Sequence, residues 1–252
     1  MGIHLVTSPL ATRLQRYYKL DQSDLDLLDG VKHLSTEYEP GEYILERGAT
    51  LQNLILLVSG WAVRTRYTAE GTRQIIHILL PGDVLTPNVF VVRQTDHSIS
   101  TLTPAAVRLV KPHDMQAMFA KSPALGAAFW WMSEQEAGVM REQIVRLGRR
   151  SALERVPHLF LELHRRLYMV GHASEDVFIL PLTQNDIGDT LGLSNVHVSR
   201  TLKKLEEGGY IRYQGSVIQI PDSRRLADLC DFDFDHLHLD STIKDARSRG
   251  TL

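Results

Sequence analysis

The chain has 252 residues, 43% of them hydrophobic and 23% charged, which is enough for two ordinary globular domains and too apolar for a disordered chain. Its 28 Lys and Arg against 30 Asp and Glu give a formal charge of −2, excluding a globally basic nucleic-acid binder and leaving attraction to phosphate to local clusters. The single Cys230 excludes an internal disulfide and a cysteine-ligated iron–sulfur cluster, and the absence of a leader-like or membrane-length apolar run predicts a cytoplasmic protein with no membrane partner.

Residues 37–110 alternate short apolar runs with turn signals. Glu39-Pro40-Gly41 precedes Tyr43-Ile44-Leu45, Arg47-Gly48 precedes Leu54 to Val58, and Ser59-Gly60 ends that run. Trp61 to Tyr67 and Glu70-Gly71 follow, then Gln74 to Leu80, ended by Pro81-Gly82-Asp83. Short strands at this spacing predict an all-β roll or barrel, here assigned to residues 1–121.

Ser122-Pro123 reads as a helix cap followed by proline at the first helical position, and no further proline occurs until Pro157. This predicts one helix over 122–150, about 40 Å long at ~1.5 Å per residue. Leu125, Phe129 and Met132, then Met140, Ile144 and Leu147, form a stripe interrupted by Glu136 and Gly138. The stripe predicts a two-fold dimer seam, with Trp130 and Trp131 packing on the roll; the other reading is a helix that packs only on its own roll. Gly148-Arg149-Arg150-Ser151 reads as a hinge into a helix from Ala152 to Val170 that buries Leu153, Val156, Phe160 and Leu163.

Residues 151–230 hold the densest signals. Thr183 and Asp186 form a capping box, Ser194 caps a second helix, and Gly192 stops the first helix so that Leu193 can tuck into the angle. Val198, Leu202 and Leu205, with Thr201 beside them, make the buried stripe of the second helix. That leaves Asn195, Val196, Ser199 and Arg200 to face base edges, and Ser194, His197 and Lys203 to hold phosphates, with Thr183 a further DNA-binding candidate. Arg200 suits a bidentate bond to guanine, against the alternative of an ion pair with Glu206 or Asp186; Val196 either meets a thymine methyl or fills space. After Glu207-Gly208-Gly209-Tyr210, the runs Ile211-Arg212-Tyr213 and Val217 to Ile220 around Gln214-Gly215-Ser216 predict a β-hairpin wing. Cys230 reads as a small apolar residue on a terminal helix. The tail, 231–252, opens on alternating Asp, Phe, His and Leu, which predicts a loosely packed tail or an added edge strand rather than a metal site.

The pattern Ile-Gly-x-x-Leu-Gly-Leu-Ser, Val-Ser-Arg, Leu, Leu-Glu, Gly-x-Ile over residues 183–211 resembles the C-terminal domain of the Crp/Fnr family of bacterial transcription regulators. Upstream, Pro-Gly-Glu-x-Ile, Arg-Gly, Val-Ser-Gly-x-Ala-x-Arg and Leu-Pro-Gly-Asp-Val resemble the cyclic-nucleotide-binding β-roll that is that family's sensor domain. The resemblance implies an α+β fold with a jelly-roll-like sensor roll, a long dimerisation helix and a winged helix-turn-helix. It also implies RNA polymerase as a partner.

The family's phosphate cassette has a Glu shortly after Gly-Asp and an Arg followed by Ser or Thr near the next strand. Here Asp83-Val84-Leu85-Thr86-Pro87-Asn88-Val89-Phe90 lacks the Glu and His97 stands about where the Arg belongs, with Arg93 out of register. Loss of a charged partner weakens a phosphate site by ~1.5–3 kcal/mol per bond, which predicts against cyclic AMP or cyclic GMP. Phe90, His97 and Ser98 are the candidate lining for some other ligand, the other reading being a structural relic in a ligand-independent roll. Some relatives hold haem or an iron–sulfur cluster, but His77, His97 and His113 show no spacing that selects a metal.

The expected function is a homodimeric, sequence-specific regulator on pseudo-palindromic double-stranded DNA, activator and repressor roles being equally open. The alternative is a sensor acting mainly through protein contacts. No nucleophile, base and orienting acid occur together, so an enzyme is not predicted.

Overall fold

The computed structural model describes residues 8–238. Two short helices open the chain: α1 (Pro9–Tyr17), capped by Ser8, and α2 (Gln22–Asp29), held by a reciprocal capping box between Asp21 and Asp24. The roll follows as β1 (His33–Tyr38), β2 (Tyr43–Leu45), β3 (Leu54–Ser59), β4 (Ala62–Tyr67), β5 (Arg73–Leu79), β6 (Ser98–Thr101) and β7 (Ala105–Val110). They form two antiparallel sheets, β1-β7-β3 and β2-β6-β4-β5, and Ile55, Leu57, Leu79, Leu85, Ile99 and Val107 fill the space between them. Gly60, at φ +83°, fits between β3 and β4 because a Cβ there would lie 2.3 Å from the Pro104 carbonyl oxygen.

Helices α3 (Pro112–Lys121) and α4 (Pro123–Arg149) leave the roll, the second capped by Ser122, whose hydroxyl accepts the Leu125 N–H at 3.1 Å. Then come α5 (Ala152–Met169), β8 (Val177–Ile179), α6 (Gln184–Leu191), α7 (Asn195–Glu207), β9 (Arg212–Gln214), β10 (Val217–Gln219) and α8 (Ser223–Cys230). A 3-10 turn over Asp235–Leu237 is the last described element. The second core runs from Trp61, Ile75 and Ile78 of the roll through Phe160 and Leu163 of α5 to Ile187, Val198 and Leu205, so roll and helix-turn-helix share apolar packing.

The roll, the long helix, the winged motif and the buried Cys230 lie where the sequence places them; α1, α2, α3, β1 and β8 carried no expectation. Three expectations change. Leu125, Phe129 and Met132 are buried within the chain against α1 and α3, while Trp130 is 79% and Ile144 70% exposed. Trp131 is buried as expected, but the stripe proposed as a dimer seam is, in its first half, the in-chain face. The outward face is a second line at three-and-four spacing: Ala127, Trp130, Glu134, Ala137, Arg141, Ile144 and Gly148.

The start of the tail is also not loose. Leu237 is buried, its carbonyl accepts from Gln135 Nε2 at 2.7 Å, and the Phe232 ring meets His158 edge-on at 4.6 Å. This explains a glycine in mid-helix: a Cβ at Gly138 would lie 2.2 Å from the His236 carbonyl oxygen. Residues 239–252 of the tail lie outside the described residues.

A line of buried charges joins these parts. Arg13 of α1 and Arg166 of α5 both bind Asp83 of the roll, Arg166 also reaches Glu162, Glu162 pairs with Arg146 of α4, and Glu142 joins His158 to Arg150. Burial opposes the charges of Asp83 and Glu162, but the facing arginines outweigh it and hold both carboxyls below their usual range. The expected hinge is tied down as well, Arg150 donating to the carbonyls of Cys230 at 3.1 Å and Asp231 at 3.0 Å.

Candidate nucleic-acid interface and sensor cavity

Helix α6 begins in a full capping box: Thr183 Oγ1 accepts the Asp186 N–H at 3.1 Å, and Asp186 Oδ2 accepts the Thr183 N–H at 3.0 Å. It ends at Gly192 in the left-handed region, φ 63°, whose N–H reaches the Gly188 carbonyl. Gly188 is required because a Cβ there would lie 2.5 Å from the Leu193 carbonyl oxygen at the turn. Leu193 packs half-buried in the angle and Ser194 Oγ accepts the His197 N–H at 3.3 Å to start α7.

On α7, Val198, Thr201, Leu202 and Leu205 are buried. Asn195, Val196, His197, Ser199, Arg200 and Lys203 are all exposed, with Thr183 and Ser194 at the adjoining helix starts. All eight predicted residues therefore lie on the outer surface of one motif. Arg200 makes no ion pair among the described residues, and its two suggested intramolecular partners are engaged elsewhere: Asp186 with Arg73, and Glu206 with the Tyr213 N–H at 3.1 Å. Asn195 is oriented by a 2.9 Å bond from its Nδ2 to Asn185 Oδ1, and Lys203 lies 3.7 Å from Glu207. The wing is present: β9 and β10 pair around Gly215 at φ 62°, with β8 added as a third strand.

Sequence reading missed what holds this motif to the roll. Arg73 of β5 donates to Asp189 and Asp186, both at 2.6 Å, and Gln74 donates to the Asp189 carbonyl at 2.6 Å. From α4, Gln143 donates to the Thr190 carbonyl at 2.6 Å. The signal was an Arg-Gln pair beginning a strand, which has no local meaning; its partners are more than a hundred residues away.

Two hollows separate the roll from α4. The larger, about 460 Å³, has Leu79, Val84, Phe90, Phe119, Phe129 and Met132 among its apolar walls and Arg13, His77, Asp83 and Arg166 at its polar end. The smaller, about 260 Å³, is lined by Arg64, Asn88, His97 and Glu136 among others. The structure therefore does not bring the three candidate ligand residues together. Phe90 faces the larger hollow, His97 the smaller, and Ser98 neither, its hydroxyl accepting the Arg47 N–H at 3.0 Å.

These residues do not fit a cyclic phosphate. His97 holds Asp96 at 2.7 Å, and burial followed by Arg64 lowers its pKa, so it brings no dependable positive charge. Arg64 is occupied by Glu136 and by the Leu85 carbonyl at 3.2 Å, and Arg93 lines neither hollow.

Comparison with known proteins accounts for both halves. Residues 35–122 match the cyclic nucleotide-binding domain family and residues 154–229 the Crp-like helix-turn-helix domain family. The chain is 31% identical over 175 residues to the nitrogen fixation regulation protein FixK of Azorhizobium caulinodans, covering 69% of this chain and 67% of that protein. It is 28% identical over 202 residues to the transcriptional activator protein FnrL of Cereibacter sphaeroides, covering 78% and 79% of the two chains. The solved structure of FixK2 from Bradyrhizobium japonicum superimposes with a TM-score of 0.70 at 28% identity, over 79% of this chain and 98% of that one. With a sensor roll, a long helix and a winged helix-turn-helix in this order, the chain belongs to the Crp/Fnr family of transcription regulators, whose helix-turn-helix is a DNA-binding domain.

Proposed function

We propose that the protein works as a homodimer in the cytoplasm on a pseudo-palindromic operator, with α7 in the major groove of each half-site. The observation that carries this reading is the outer face of α7, where Asn195, Val196, Ser199 and Arg200 stand clear while every large apolar side chain except Val196 turns inward. Asn195, Val196, Ser199 and Arg200 read base edges; Thr183, Ser194, His197 and Lys203 hold phosphates and set register.

The dimer forms through the outward line on α4. Ala127, Ala137 and Gly148 let two helices approach closely, Trp130 and Ile144 supply apolar contact, and Glu134 and Arg141, 3.0 Å apart within one chain, are placed to pair across the seam. The roll responds to a ligand other than a cyclic nucleotide, or to none, and the bound dimer meets RNA polymerase.

Selection of duplexes from a random-sequence pool by the full chain is expected to recover an inverted repeat with half-site centres about 34 Å apart along one face of the DNA. Recovery of no preferred sequence would overturn the proposal.

A further inference from the structure

We propose that the larger hollow is a binding site for a small amphipathic carboxylate, whose head accepts the His77 N–H and whose apolar body lies among Phe90, Phe119 and Phe129. This rests on reading the roll as a sensor of something other than a cyclic nucleotide.

The first support is a hydrogen bond that the protein leaves unmade. His77 Nε2 lies 3.3 Å from Arg166 Nη2. A guanidinium only donates, so Nε2 is the acceptor and the ring proton sits on Nδ1. That Nδ1 is buried and has no partner among the described residues, although buried donors are almost always satisfied. His77 lines the hollow, so an acceptor oxygen in the hollow meets the unmet need.

Charge supports an anionic head. Behind the polar end Arg13, Arg166 and Arg146 share Asp83 and Glu162, three cations to two anions in one linked set of pairs, while Glu136 and Glu134 of the lining are each matched by an arginine, Arg64 and Arg141. Burial first, then Arg166, Arg64 and Arg13, hold the His77 pKa well below its ordinary value, so the imidazole is a neutral donor in a positive field. An ammonium head would meet that field unfavourably.

The walls choose the body. About 460 Å³ lies within the range of small-ligand pockets, and Phe119 and Phe129, 5.3 Å apart edge to face, form an aromatic side with Phe90 beyond. At the mouth Val91 is 85% exposed, a rim that suits an alkyl or aryl group and gives a sugar little to bond.

Octanoate is the probe, with n-octylamine as the control of opposite charge, on the full-length protein by thermal melting and calorimetry. Octanoate is expected to raise the melting temperature and bind once per chain, while n-octylamine does neither. His77→Phe keeps the aromatic bulk and is expected to weaken octanoate about tenfold or more. Phe119→Trp narrows the apolar side without touching the polar end and is expected to abolish the octanoate shift.

No octanoate-dependent shift, an equal shift with n-octylamine, or undiminished binding by Phe119→Trp would each overturn the site. DNA selection without any carboxylate is a separate readout. An inverted repeat with octanoate inert rejects only the site, and octanoate binding with no preferred sequence rejects only the regulator reading.

Discussion

Helices α7 and α4 both present an apolar stripe in the sequence, yet the stripe identifies the buried face of one and half misidentifies that of the other. On α7 the apolar residues fall on a single side, Val198, Leu202 and Leu205, and the opposite side is polar apart from Val196. Periodicity then has one solution. On α4 both sides are apolar: Leu125, Phe129 and Met132 face the roll, and Trp130, Ala137 and Ile144 face outward. A helix with two apolar sides has two candidate buried faces, and spacing alone does not say which neighbour each one meets.

The contrast predicts opposite effects from substitutions on opposite faces. Leu205→Ala and Leu125→Ala, both in fully enclosed sites, are each expected to lower unfolding stability by about 2–5 kcal/mol, read from urea denaturation. Arg200→Ala is expected to change stability by less than about 0.5 kcal/mol while weakening binding to a specific site by about 1–3 kcal/mol. On α4, Trp130→Ala with Ile144→Glu should leave the circular dichroism unchanged and shift the mass in solution to that of one chain. Retention of the dimer mass would move the seam elsewhere.

Much of the roll and nearly all of the winged motif was legible because their signals are local: glycine at left-handed turns, capping boxes, and short apolar runs between turn residues. Thr183 with Asp186 and Gly192 with Ser194 need only neighbours a few residues away. What escaped was long-range. Arg13, Asp83, Glu162 and Arg166 meet only once α1, the roll and α5 are packed, and Arg73 finds Asp186 and Asp189 only across the two halves. Gly138 read as an interruption of a seam because the His236 carbonyl that needs its missing Cβ is about a hundred residues on. The hollow was half legible: Phe90 was found, but His77 read as one more isolated histidine until Arg166 fixed its tautomer.

The buried charges also give the protein an acid-side weakness that α7 lacks. Burial, then Arg146 and Arg150, push the His158 pKa down to about 2 from 6.5, so the folded chain keeps the ring neutral while the unfolded chain protonates it. A depressed folded pKa leaves this stabilisation intact above 6.5 and removes it as pH falls toward 2, at about 1.4 kcal/mol per pH unit for one proton. Unfolding free energy is therefore expected to be lower at about pH 5 than at about pH 7, and His158→Gln to flatten that dependence. A smaller effect belongs to Lys203→Ala, which should weaken binding uniformly over sequences and reduce the salt slope by about 1 for each phosphate no longer neutralised, measured as affinity against salt concentration.

The most direct measurement compares the wild-type chain with Arg200→Ala on every single-base variant of the selected operator. If α7 reads bases as its outer face implies, the substitution flattens discrimination at one base pair in each half-site, at symmetry-related positions, and leaves the others intact. A uniform loss of affinity with the base preferences unchanged at every position would contradict the account.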